Sequence, residues 1–242
     1  MTLYQTSSTS HPLILPNGNN IILKQRLSNR ARHIILRIDY STNMVELVLP
    51  PGTALNEGLR FAYSKTDWIQ KKLEQIPTRI LFKPGVILPV RGRPLKLVKG
   101  VKNSENPIYI DDRLIICSEN NNFANIVHEW LIAEARKEIN SRAIEYSKKI
   151  SYQHIANIAI KDTKTRWGSC STKGRLSFSW RLILAPPNVL NYVVAHEISH
   201  LRQMNHSKAF WLIVSDLVGD YKEARIWLNS NSIMLRSFGH PQ

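Results

Sequence analysis

The residues VVAHEISHLRQMNHSKAFW, positions 193–211, decide how the rest of the chain is read. They contain His196-Glu197-Ile198-Ser199-His200, two histidines four residues apart with a glutamate directly after the first. On a helix, residues four apart lie on one face, one turn from each other. One metal ion can therefore meet both imidazoles, and Glu197 can reach a water on that ion. This pattern is the physical basis of zinc hydrolase helices. Zinc lowers the pKa of its water to about 7, and a neighbouring carboxylate takes the proton as the water attacks.

A third histidine, His206, lies ten residues after His196, so three of the eight histidines fall within eleven residues. On a continuous helix, six residues past His200 would point about 240° away from the shared face. The helix must therefore end between Leu201 and Asn205. Asn205 tolerates the left-handed conformation that terminates helices, and Ser207 suits the N-cap of a following helix. A catalytic zinc site takes three protein ligands and keeps one position open. His206 fills that count. Glu223, Asp216 or Asp220 would fill it equally if His206 only capped the turn, and Cys170 is a soft donor within the same region. The other histidines, 11, 33, 128, 154 and 240, have no partner spacing and are read as structural or surface groups.

Upstream of this helix, Ile155–Lys161, Thr165–Cys170 and Arg175–Leu184 read as three strands. Lys173-Gly174 makes the last two a hairpin, and Pro186-Pro187 stops the sheet. Phe123, Ile126, Val127, Trp130, Leu131 and Ala135 line one face of a helix reaching about Lys149, and Asn120–Asn122 is its start signal. Downstream, helices are expected over about 207–218 and 220–230. Before residue 119 the runs Ile21–Leu27, His33–Asp39 and Val45–Leu49, with a turn signal at 41–43, read as a small meander. Thr53–Gln75 follows as one helix, then short strands over 80–116, split by turn residues such as Asn106-Pro107. The expected organisation is a flexible N-terminus over 1–19, a β-rich basic unit with one helix over 20–118, and a catalytic domain over 119–242. The fold class is α+β and no internal repeat is evident.

The chain has 242 residues, 43% hydrophobic and 21% charged, which excludes disorder over most of its length. No run of about 18 apolar residues is present, so no transmembrane helix and no membrane partner are expected. The first residues lack a basic region followed by an apolar one, so a secretory signal is not expected either. Two cysteines, Cys117 and Cys170, do not make a disulfide scaffold, and a cytoplasmic setting follows. Lys and Arg number 33 against 18 acids, a net charge of +15, which favours polyanionic partners such as nucleic acid.

The run RWGSCSTKGRLSFSWRLILAPPNVLNYVVAHEISHLRQMNHSKAFW, residues 166–211, resembles the YgjP-like metallopeptidases, a family similar to the SprT-like and WLM zincins. Arg166–Cys170, the leucine- and proline-rich segment before Tyr192, and the histidine motif followed by Asn205-His206-Ser207 and Phe210-Trp211 carry the likeness. RARHIILRID, VLPPGT and Gly219-Asp220-Tyr221 extend it over most of the chain from about residue 25. The resemblance implies a zincin-like fold with His196, His200 and His206 as Zn2+ ligands and Glu197 as catalytic base. It also implies a strand Arg166–Cys170 beside the cleft, so Arg166, Trp167 and Ser169 are expected to contact substrate. Gln203 stands where the related metzincin pattern carries Gly, so the turn is assigned to Asn205.

The function expected from these readings is a zinc metallopeptidase in which zinc-bound water, activated by Glu197, attacks a peptide carbonyl. In zincins an edge strand pairs with extended peptide, and either Arg166–Cys170 or Arg175–Trp180 is a candidate for it. Two alternatives keep the zinc. A nucleotide phosphohydrolase would use the positive field, although no P-loop or second-metal carboxylate cluster is present. A non-catalytic nucleic-acid-binding module would use zinc structurally, although such sites are usually closed by four ligands.

Overall fold

The computed structural model describes residues 9–39, 44–100, 108–116, 122–152, 155–163 and 165–239. Cys117, His154, His240 and the turn signals at 41–43 and 106–107 lie outside the described residues. The class is α+β, as expected. The described residues form two compact units, one ahead of Arg79 and one from Arg79 onward.

The first unit holds a four-stranded sheet of β1 (Ser10–Ile14), β2 (Asn20–Leu27), β3 (Ile35–Asp39) and β4 (Met44–Leu49), in the order β1-β2-β4-β3. Of the stretch expected to be flexible over 1–19, residues 1–8 lie outside the described residues, and β1 corrects the expectation for the rest: Leu13 and Leu15 are buried in the unit's core. The sheet is not a meander either, because β4 pairs parallel to β2 and antiparallel to β3. α1 (Leu55–Tyr63) and α2 (Thr66–Glu74) replace the single helix expected over 53–75. Ser64 and Thr66 hydroxyls donate to the carbonyls of Phe61 and Tyr63, competing with the backbone ladder where the helix breaks. Ala62 and Ile69 close the core of Leu13, Leu23, Val45, Leu47 and Leu49.

The second unit opens with β5 (Ile87–Val90), β6 (Arg93–Lys99), β7 (Ile108–Ile110) and β8 (Arg113–Ile116), ordered β5-β6-β8-β7. This corrects the boundary placed at 118. Leu88, Leu95, Leu97, Leu114 and Ile116 share one core with α3 (Phe123–Lys149) and every later element. α3 buries Val127, Leu131, Ala135, Ile139, Ala143 and Tyr146, a stripe three or four residues apart along one face.

β9 (Asn157–Lys161), β10 (Gly168–Cys170) and β11 (Arg175–Ser179) form a sheet of order β10-β11-β9. β10 pairs antiparallel to β11, and β11 parallel to β9. The strand expected through Leu184 stops at Ser179. Trp180–Leu184 is a 3-10 turn with all five side chains buried, and Arg181 is ion-paired to Asp162 at 3.1 Å. α4 (Pro187–Ser199), α5 (Lys208–Val218) and α6 (Lys222–Ser237) complete the unit. Proline begins α4, where its missing N–H costs nothing. No described helix is long and apolar enough to cross a membrane.

Candidate metal centre

α4 places His196 and His200 one turn apart, while Val189, Leu190, Val193, Val194 and Ile198 bury the helix around them. The last helical residue is Ser199, and Gln203 N–H still bonds back to the Ser199 carbonyl. The turn that follows is made differently from the expected one. Asn205 is not among the described non-glycine residues with positive φ. Its Oδ1 instead accepts the Ser207 N–H at 3.3 Å, and the Ser207 hydroxyl caps α5 through the Phe210 N–H. Arg202 anchors the turn from outside: its guanidinium donates to the carbonyls of Ile150 (2.8 Å) and Ser151 (2.6 Å) at the end of α3. No periodicity pointed to that contact, because its acceptors are backbone oxygens some fifty positions away.

The turn returns His206 to the helix face. Donor atoms of His196, His200 and His206 all lie within 4.8 Å of one another. Among the described residues no acid and no sulfur joins this cluster, so Glu223, Asp216, Asp220 and Cys170 stand apart from it. Nε2 of His206 and Nε2 of His196 are 3.1 Å apart. Two ligand nitrogens on a tetrahedral zinc, each at about 2.0–2.1 Å, sit about 3.3 Å from each other. His200 Nδ1 lies 3.0 Å from the Gln203 carbonyl, so Nδ1 carries the proton and Nε2 keeps a free lone pair. Burial, with His200, His206 and Arg225 adding to it, holds the His196 pKa down to about 3, which keeps that imidazole neutral and able to ligate. These donors fit a metal that prefers imidazole.

An aromatic cradle supports the three rings. Buried Phe210 has its centroid 4.9, 4.6 and 4.8 Å from those of His196, His200 and His206. Trp211 flanks His196 and His206 at 5.7 and 5.8 Å and stacks on Tyr221, which stacks on Tyr192. Tyr192, one turn before His196, contacts its ring edge-on. The i, i+4 spacing of Tyr192 and His196 was the available signal for this contact. Tyr221 was marked only by the likeness carried in Gly219-Asp220-Tyr221, and Arg225 had no signal.

Glu197 is 7% exposed and faces β10. A Cβ on Gly168 would lie 2.5 Å from Glu197 Cγ and 2.7 Å from Oε1, so only glycine admits this carboxylate. Burial lifts the Glu197 pKa to about 7, with Arg166 pulling it back. Ser169 is half-buried on β10, opposite Ser177. Arg166 is exposed. Trp167 is held as part of the framework: its Nε1 donates to Ser232, and the Arg236 guanidinium lies 4.4 Å over its ring. Burial, then the charge of Glu197, pushes the Cys170 thiol up to about 11, which disfavours the thiolate a metal would need.

β10 is the edge of its sheet, while β11 is paired on both sides, which removes Arg175–Trp180 as the free edge. Trp167 and Ser171 bond to β11 through Ser179 and Arg175. Alternation then turns the N–H and C=O of Gly168 and Cys170 toward the open edge.

The chain matches the family model "YgjP-like, metallopeptidase domain" over residues 32–231. Two solved structures are similar over part of it. The metallopeptidase zymogen abylysin of Pyrococcus abyssi is 18% identical, with TM-score 0.35, covering 39% of this chain and 92% of that one. The metallopeptidase zymogen jannalysin of Methanocaldococcus jannaschii is 21% identical, with TM-score 0.35, covering 40% and 96%. No curated protein matches the chain. A match across residues 32–231, spanning the histidine cluster and most of both units, means that the chain belongs to the YgjP-like metallopeptidase family.

Proposed function

We propose that the protein is a zinc-dependent metallopeptidase whose metal is held by His196, His200 and His206 and whose general base is Glu197. The observation that carries this reading is the convergence of three imidazoles within 4.8 Å beside a buried carboxylate. Zinc bound there would supply Lewis-acid polarisation of a peptide carbonyl and acidify a water. Glu197 Oε accepts the proton of the attacking water and returns it to the leaving amine. Burial favours the protonated carboxyl, which helps Glu197 hold the proton between the two transfers. Phe210 fixes the imidazole rings, and the proton on His200 Nδ1 directs Nε2 inward. An extended peptide adds to β10 through the outward backbone groups of Gly168 and Cys170. Arg166 and Ser169 face that peptide, and Trp167 orients the strand from behind. A reducing, cytoplasmic setting belongs to the same reading, on the two cysteines of the sequence.

Glu197→Gln is the direct test. The variant should hold about one zinc per chain by elemental analysis, while peptide turnover falls about 10²–10⁴-fold. Unchanged turnover would remove Glu197 from the chemistry. Loss of zinc in His206→Ala, but not in Glu223→Ala, would establish the third ligand.

A further inference from the structure

The second unit carries 24 Lys and Arg against 13 Asp and Glu, whereas the first carries 9 against 5. Both units are therefore basic, roughly in proportion to their length, and the excess is not confined to the N-terminal unit expected to hold it. At the site, the neighbouring charge acting on His196 from outside the cluster is Arg225, and the one acting on Glu197 is Arg166. Arg225 is exposed near the start of α6, with its guanidinium 5.4 Å over the Trp211 ring, and Trp211 in turn flanks His196 and His206. Arg166 is exposed just before β10, near enough for its charge to act on Glu197. Among the described residues neither guanidinium has a carboxylate partner.

A guanidinium without an ion-pair partner beside a divalent-metal site, as Arg225 is, repels the metal and weakens its binding. That arrangement is favourable only when an anion joins the complex. A guanidinium stacked on an indole face keeps its N–H edge free for two-pronged contact with a carboxylate. We propose that the cleft selects acidic peptide substrates, with Arg225, held on Trp211 beside the histidine rings, and Arg166, just before β10, as contacts for Asp or Glu side chains. This inference rests on the peptidase reading for its occupant, but the anion contacts are testable apart from turnover.

The test is fluorescence anisotropy with the full chain carrying Glu197→Gln and loaded with zinc, so that bound peptide is not consumed. Two fluorescein-labelled heptapeptides differ only in having three Glu or three Gln. At 50 mM NaCl the Glu peptide should bind about tenfold tighter, and the difference should shrink at 500 mM as salt screens it. Arg225→Gln should cut the discrimination about fivefold and Arg225→Lys should retain most of it. Lys137→Gln, an equal charge change on exposed α3, should leave it intact. Equal affinity for the two peptides, no binding of either, or indifference to Arg225→Gln would overturn the proposal. So would a single-stranded oligonucleotide of matched charge that displaces the Glu peptide in an Arg225-independent way. Acidic-peptide binding without cleavage of any peptide by the zinc-loaded wild type would uphold the anion contacts and overturn the peptidase reading alone.

Discussion

Two four-stranded sheets in this molecule have the same wiring. In each, an antiparallel hairpin, a parallel step and a second antiparallel pair give the orders β1-β2-β4-β3 and β5-β6-β8-β7. What differs is the cover. Leu23, Val45, Leu47 and Leu49 of the first sheet meet α1 and α2 and stop there. Leu88, Leu95, Leu97 and Leu114 of the second join the core that carries α3 and the histidine helix. Pairing and turn chemistry set a sheet's wiring, and the apolar surface laid on its buried face sets its role. One sheet completes a separate small core, while the other is part of the support of the histidine cluster.

Truncating one leucine on each sheet gives the largest expected break in that comparison. Leu97→Ala and Leu47→Ala each remove a fully buried side chain and should cost about 2–5 kcal/mol. In thermal unfolding followed with the zinc-loaded protein, Leu97→Ala should lower the transition that releases zinc. Leu47→Ala should lower a different transition and leave zinc release where it was. A single transition moved equally by both variants would mean that the two cores unfold together.

A smaller effect comes from the carboxylate itself, which only the second unit buries. Glu197 ionises in the folded chain near pH 7, against about 4.5 in an exposed setting. A raised carboxylate pKa means stability present at low pH and lost as the pH rises through 7. The metal-free Glu197→Gln variant should match metal-free wild type near pH 4. Above pH 7 it should exceed it by about 3 kcal/mol at most. The low pKa of His196 has the opposite slope, but it is common to both proteins and drops out of the difference. Urea titrations at pH 4 and pH 8 measure this, and an equal gap at both would contradict the buried-carboxylate account.

The smallest changes are single methyl groups at two glycines, one per unit. Gly58 on α1 approaches β4 so closely that a Cβ would meet the Leu49 side chain at 2.5 Å. Gly58→Ala should cost about 1–3 kcal/mol of the first unit's stability, without touching zinc content or turnover. Gly168→Ala would meet the Glu197 carboxylate instead. On the proposed mechanism it should lower kcat about 10–100-fold while zinc stays bound, because a general base displaced by about 1 Å loses much of its effect. Equal activity losses in the two variants would deny Gly168 its particular role.

Much of the site was legible because helical spacing is local. His196, Glu197 and His200 are arranged by 3.6 residues per turn, and Ser207 caps the helix that its position in the sequence suggested. Long α3 was equally readable from its apolar stripe. β1 was missed because the polar residues around it hid the alternation of Leu13 and Leu15. The boundary near 118 was misplaced because strands β5–β8 look the same whether they close their own core or join another.

The sequence by itself determined the chemistry on offer: three histidines, one glutamate, a glycine-bearing strand and a strong excess of positive charge. Those follow from composition and from periodicities that span a few residues. Only the tertiary structure decided how they meet. It turned His206 back through Asn205, Ser207 and the anchor of Arg202 on α3. It laid Glu197 against Gly168, made β10 the free edge, and set Arg225 on Trp211 beside the rings. These contacts join residues tens of positions apart, and their geometry is fixed by packing in a shared core that no local pattern encodes.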